Sequence, residues 1–329
     1  MISNTETGVV NALRTAAIIG ISVAGTVAAV FTVGALFGNL WWLFDYAANF
    51  RWQMFWLLVA AAILYAVMSR GFASVAFIVA AVINAWLIAP AWLGDQPEPG
   101  GQSSISIVQI DLFPTVDDTG VVSRWLSDSG ADVLIVSGTS VNRMRSLTQS
   151  DSHYVIISAP LAQDRLGVVV LGLQSWPVEV FHSQGFAEPV YRISVGSAGG
   201  VTDIVTAWGP IGSNPQNADK LRARLDAVSQ AVASAENPVA VIGSLGATRW
   251  TSGMTALREQ HELRDATEGY GYLPTWSIFD VPIIGKWIGI PIDIVLMTPE
   301  ITPSSITTGP DIGAGHLPVT VGISRVAAG

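Results

Sequence analysis

The sequence contains no cysteine, only two lysines, and only 12% charged residues over 329 positions. Without cysteine there are no disulfides and no thiolate metal sites, and the redox compartment leaves no mark on the chain. The scarcity of lysine, with a net charge of −9, argues against nucleic acid as a ligand, because phosphate backbones are gripped through Lys and Arg. A soluble domain carries about 25% charged residues. Here half the residues are apolar and the mean hydropathy is positive, so part of the chain is built to live outside water.

The charge that exists is unevenly placed. Residues 1–94 hold Arg14, Arg51 and Arg70 against Glu6 and Asp45, and the remainder holds 13 basic against 23 acidic residues. Residues 15–44, 52–69 and 71–94 carry no charge at all, and each meets the roughly 18 apolar residues that a bilayer crossing needs. The expectation is a membrane anchor over residues 1–94 with three transmembrane helices, at about 15–38, 52–69 and 71–93. The first run is too long for a cleaved signal peptide and two more follow it. Its Gly, Ala, Ser and Thr content suits close helix packing in lipid. Trp41, Trp42, Trp52, Trp56, Trp86 and Trp92 gather near the span ends, where indole favours the headgroup layer. With a cytoplasmic N-terminus, Arg14 and Arg70 lie inside and Arg51 outside beside Asp45, in keeping with the positive-inside bias. Three crossings then carry the C-terminal portion out of the cytoplasm. Residues 95–103, within "GDQPEPGGQSS", read as a Pro/Gly-rich linker.

From residue 104 onward short β-rich runs alternate with polar breaks: "SISIVQIDLF", "ADVLIVSG", "HYVIISA", "LGVVVLGL", "VEVFHS", "PVYRISVG" and "VTDIVTAWG". An amphipathic helix follows over 217–237, with Leu221, Leu225, Val228 and Val232 on one stripe. After "PVAVIGSLG" come a shorter helix at 252–263 and the strands "IDIVLMT" and "HLPVTVGIS". Strands outnumbering helices over about 225 residues, without internal repeats, predict one α/β domain of layered sheets across 104–329.

The stretches "ELRDATEGYGYLPTW", "IPIDIVLM" and "GPDIGAGHLPVTV" resemble the endonuclease/exonuclease/phosphatase superfamily, and the resemblance extends over nearly all of 104–326. The connection "WWLFDYAANFRWQ" is similar to that of membrane-anchored bacterial members. The resemblance implies a four-layer α/β sandwich on the bacterial inner (cytoplasmic) membrane, with the domain in the periplasm. Active members hydrolyse phosphate esters with Mg²⁺, which needs an acidic ligand for a hard cation, an activated water and donors for phosphoryl oxygens.

Position by position, the resemblance implies a degenerate site. Where the first strand of the family ends in Asn there is Asp111. Where the second ends in a metal-binding Glu, this chain has Ser137 and Gly138. Trp208 takes the place expected for a catalytic His, and the loop that supplies an Asp and an Asn reads Gly243-Ser244-Leu245-Gly246. "PIDH" has become "PIDI", keeping Asp293 and placing Ile294 for His. "SDH" has become Ala314-Gly315-His316, which leaves His316 without the Asp expected to orient it. Loss of a general acid or base costs roughly 10²–10⁴ in rate, so these losses together leave little catalysis. Asp111 and Asp293 remain as residual metal candidates, thin for the octahedral demands of Mg²⁺. His153, His182 and His261 share no ligand spacing, and Arg249 reads as a solvated loop charge.

The expectation is a pseudoenzyme with no catalytic residues and no cofactor. Its role would be that of a structural or stabilising subunit held against other integral membrane proteins of a complex, for which a photosynthetic or respiratory assembly is a natural host. The alternative is a metal-dependent phosphodiesterase or phosphatase with a rearranged site at the membrane surface.

Overall fold

The computed structural model describes residues 4–68, 70–100, 104–114, 119–147, 153–160, 162–182, 188–277 and 288–327. Ser69 of the second expected span and residues 101–103 of the expected linker lie outside them. The chain divides into two compact units, residues 1–90 and 91–329.

The first unit is helical. α1 (Asn4–Gly34) runs into a 3₁₀ turn at Ala35–Leu40, followed by α2 (Trp42–Ala48), α3 (Arg51–Val67) and α4 (Gly71–Ile88). Two stretches, Asn11–Leu40 and Gly71–Leu93, are long and apolar enough to cross a membrane. The middle expected span is different. α2 and α3 meet at 81° and reach a crossing length only if the bent pair counts as one span. α3 alone has 17 residues, about 26 Å at 1.5 Å per residue, short of a hydrocarbon core of roughly 30 Å. Helix packing rests on small side chains: Ala28, Ala61, Ala62, Ala80 and Ala81 form a core with Leu58, Met54 and Phe77.

Arg51 is buried among the helices. It opens α3 and is only 1% exposed. Its Nη1 donates to the Thr32 carbonyl (3.1 Å) and to Asn84 Oδ1 (3.4 Å), while Asn84 Nδ2 donates to Thr32 Oγ1 (2.8 Å). A cation this buried must exchange water for fixed acceptors, and α1 and α4 supply them. Asn84→Leu is therefore expected to cost about 1–3 kcal/mol, the price of stranding a buried donor. Thermal unfolding of the full chain in detergent checks this, and an unchanged melting temperature would contradict it.

The second unit begins within α5 (Pro90–Leu93). Its elements are then β1 (Ile105–Asp111), α6 (Thr119–Asp128), β2 (Val133–Thr139), α7 (Val141–Leu147), β3 (Val155–Ser158), β4 (Gly167–Gly172), β5 (Val178–Phe181), β6 (Val190–Ser197), β7 (Gly200–Thr206), α8 (Pro215–Ala233), β8 (Val239–Ser244), α9 (Ser252–Gln260), β9 (Arg264–Asp265), β10 (Asp293–Met297), β11 (Ile301–Thr308) and β12 (Val319–Arg325). They form two six-stranded sheets, in the orders β11-β12-β1-β2-β4-β3 and β5-β6-β7-β8-β10-β9. The inner strands are largely buried on both faces, as a covered sheet requires. One face of each sheet joins a shared core containing Ile107, Ile135, Ile193, Ile242 and Val295. The outer faces pack under helices, α8 and α9 on one side and α6 and α7 on the other. The result is helix, sheet, sheet, helix, as expected for the α/β domain.

The segment read as a linker is not free. Gln96 Nε2 donates to the carbonyls of Asp265 (2.9 Å) and Glu268 (3.1 Å), Thr302 Oγ1 donates to the Pro97 carbonyl (2.8 Å), and Gly100 N donates to the Arg325 carbonyl (2.8 Å). Residues 91–100 thus belong to the globular unit, because their backbone groups and the Gln96 amide find partners along its surface.

Candidate functional site

The period of two along a strand builds the site. In β1, Ile105 and Ile107 face the shared core, so Gln109 and Asp111 must face inward as well. The same alternation turns Ser137 of β2, Ser244 of β8 and Asp293 of β10 inward, following Ile135, Ile242 and the pair Val295 and Met297. At one end of the sandwich the inward layer therefore changes from apolar to polar on four central strands. Registers hold these positions together: Asp111 lies opposite Ser137, Asp293 opposite Ser244, and Trp208 bridges to Ser244.

The side chains close into one hydrogen-bonded cluster. Asp293 Oδ2 meets His316 Nδ1 at 2.8 Å, and Asp293 Oδ1 accepts from Gln109 Nε2 at 3.0 Å. Asp111 Oδ2 accepts from Trp208 Nε1 at 2.8 Å, and Asp111 Oδ1 accepts from the Phe113 backbone N–H at 2.9 Å. His316 Nε2 stands 3.9 Å from Asp111 Oδ2. Asp111, Asp293 and His316 are 2%, 5% and 8% exposed. The Phe113 ring lies edge-on to Trp208.

Burial dominates the electrostatics. It raises the Asp111 carboxyl above the usual carboxylate range, and nearby Asp293 raises it too, against the lowering effects of His316, the Phe113 N–H and the Ser244 hydroxyl. Burial alone would push the His316 imidazole down. The carboxylates of Asp293 and Asp111 outweigh it and hold the ring up to about 9. A raised folded-state value means that the stabilisation is complete below about 6.5 and is lost as pH rises through about 9. The shift corresponds to about 3 kcal/mol as an upper bound. The melting temperature of the full chain is thus expected to fall between pH 7 and 10, and His316→Gln to flatten that fall. An equal slope in the variant would contradict it.

These contacts correct the sequence reading in three places. His316 does not lack an orienting acid: Asp293 of β10 performs that role in place of residue 315. Ile294 is not at the site. It follows Asp293 on the strand, so its side chain faces the opposite way and packs in the outer core beneath α8 and α9. Arg249 is no solvated loop charge: it is buried, pairs with Asp265 at 3.1 Å and lies over the Trp250 ring.

Asp111, Trp208, Ser244, Asp293 and His316 do come together, with Gly138 beside Asp111. Gly246 instead lies against the Pro210 carbonyl, and Gly315 against that of Phe113. Sequence reasoning missed Gln109, whose only signal was an amide at an inward position of an apolar strand. His153 and His182 are exposed beside strand ends, and His261 meets Ser229 Oγ at 2.7 Å.

The residues present do not fit a divalent cation. Every carboxylate oxygen of Asp111 and Asp293 already takes an N–H from the protein itself, and Mg²⁺ needs several open oxygens and waters in octahedral array. Among the described residues no three His, Asp or Glu side chains are grouped to hold a metal. A cavity reaching Asp293, lined also by Arg249, Asp265 and Tyr272, measures about 20 Å³, space for a single water.

No family model and no curated protein matches the sequence. Solved structures match the fold. A humanized D. rerio TDP2 aligns over 68% of this chain and 100% of its own, at 14% identity and a TM-score of 0.54. An endonuclease/exonuclease/phosphatase family protein from Bacteroides thetaiotaomicron aligns over 69% and 96%, at 10% identity and 0.51. A mannosyl-6-phosphatase of that organism aligns over 67% and 99%, at 10% and 0.51.

Proposed function

Starting from the endonuclease/exonuclease/phosphatase fold carried by this chain, we propose that the protein is a membrane-anchored pseudoenzyme. In this reading the N-terminal helices make three crossings of a bacterial inner membrane, with the bent α2–α3 pair as the second. The sandwich stands on the periplasmic side as a rigid structural subunit for other integral membrane proteins, in an assembly of photosynthetic or respiratory type. The observation that carries the non-catalytic part is that all four carboxylate oxygens of Asp111 and Asp293 already accept an internal donor. A carboxylate that already accepts from Trp208 or Gln109 is a poorer metal ligand and a weaker base for water, because the internal donor competes for its oxygens. Removal of an acid–base partner lowers rates by roughly 10²–10⁴, and here the metal ligands are occupied as well.

The purified full chain is expected to release no phosphate from generic mono- or diesters with Mg²⁺ or Mn²⁺ beyond the metal-only background. Gentle detergent extraction followed by native separation and mass spectrometry is expected to find membrane proteins migrating with it. Migration as a lone monomer in several mild detergents would overturn the subunit role.

One observation favours the opposite reading, a surviving hydrolase: the buried His316–Asp293 pair has the geometry of an oriented general base. Metal-dependent turnover abolished by Asp293→Ala would establish that reading and end the first.

A further inference from the structure

We infer that the backbone packed around Gly138 leaves no room for the third acidic ligand a divalent cation would need, so that restoring polar side chains at the neighbouring positions does not restore metal binding. This deepens the non-catalytic reading and rests on it.

The argument is steric. Three positions at which the family resemblance places Glu, Asn and Asp are Gly138, Gly246 and Gly315. A Cβ at Gly138 would overlap Asp111 Oδ1 and sit 2.6 Å from Phe113 Cβ and 2.7 Å from Phe113 N. At Gly315 it would run into the carbonyl of Phe113, and at Gly246 into that of Pro210. At all three positions main chain stands in the way, which does not swing aside as a long side chain does. Gly138 also has φ +63°, a conformation that disfavours any side chain.

The obstructing segment is pinned. Leu112 N donates to the Ser137 carbonyl at 3.0 Å, Phe113 N donates to Asp111 Oδ1 at 2.9 Å, and His316 N donates to the Asp111 carbonyl at 3.2 Å. The turn after β1, the end of β2 and the turn before β12 therefore interlock around the Phe113 backbone. Side-chain loss alone would leave an open hollow. Here the Phe113 backbone stands where a side chain at Gly138 would begin, and the Trp208 indole covers Asp111 Oδ2.

Two of the degenerate positions, Ser244 and Trp208, remain open to reversal by substitution. The test uses the full chain in detergent with Mn²⁺ as the probe, followed by electron paramagnetic resonance of the free ion. The proteins are wild type, Trp208→Phe, which removes the donor to Asp111 Oδ2 and keeps a ring, and the double variant Ser244→Asp/Trp208→His. The free-ion signal is expected to be undiminished by an equimolar amount of each, and Mn²⁺ to leave each melting temperature unchanged. A signal lost in proportion to protein, and regained with Asp293→Ala, would overturn the inference. Binding by Trp208→Phe alone would overturn it equally, since the barrier would then be one indole and not the backbone. The double variant adds an acid to a buried cluster and is the one at risk of misfolding, so wild type and Trp208→Phe decide the outcome. Mn²⁺ binding without ester hydrolysis defeats this inference and leaves the non-catalytic reading standing, whereas hydrolysis defeats that reading itself.

Discussion

Asp293→Ala is expected to destabilise the globular unit by about 3–5 kcal/mol, the loss found when one partner of a buried charge pair is removed. Asp293 accepts from both His316 Nδ1 and Gln109 Nε2, and both buried donors would lose their acceptor. The variant carries a second signature. Without Asp293, burial again dominates His316 and its value falls from about 9, so the alkaline loss of stability shrinks with it. Asp293→Asn keeps an acceptor for one donor and should fall between wild type and Ala. Chemical unfolding of the full chain, followed by near-ultraviolet circular dichroism across pH 6–10, reads both effects. A loss under 1 kcal/mol, on the scale of an exposed pair, would mean that the cluster is not the buried lock described above.

Gly138→Ala is expected to be strongly destabilising, and Gly130→Ala supplies its control. Both glycines have φ +63°, so each alanine carries the left-handed penalty of roughly 1–2 kcal/mol. A Cβ at Gly130 meets nothing within 4 Å, whereas at Gly138 it overlaps Asp111 and crowds Phe113. Overpacking adds about 1–3 kcal/mol, giving a total of about 2–5 kcal/mol at Gly138. The difference between the two variants isolates the crowding from the backbone strain. Equal losses would show that the Phe113 segment yields easily, and the steric argument would fail.

Much of this was legible before the fold was known. The strands declared themselves by short β-rich runs between polar breaks, and the α8 stripe of Leu221, Leu225, Val228 and Val232 lies buried as its spacing requires. The inward turn of Asp111, Ser244 and Asp293 follows from counting in twos along their strands. Ile294 was misplaced because motif comparison ignored that count: a neighbour on a strand faces the other layer. The partner of His316 was hidden for a different reason. Asp293 is 23 residues away along the chain, and only the pairing of two sheets brings it near.

β11 escaped detection because "ITPSSITT" reads as a loop. Pro303 survives there because β11 is an edge strand, with a bulge between Pro303 and Ser305. The burial of Arg51 was equally illegible. A charge between two apolar runs reads as a loop residue, and nothing local announces that Thr32 and Asn84 from other helices will receive it.

Anomalous diffraction at the manganese edge, from crystals of the full chain grown with Mn²⁺, bears most directly on the sealed site. The expected map has no anomalous peak beside Asp111 and Asp293, with the Trp208 indole still hydrogen-bonded to Asp111. A peak bridging the two carboxylates, with that indole displaced, would contradict it.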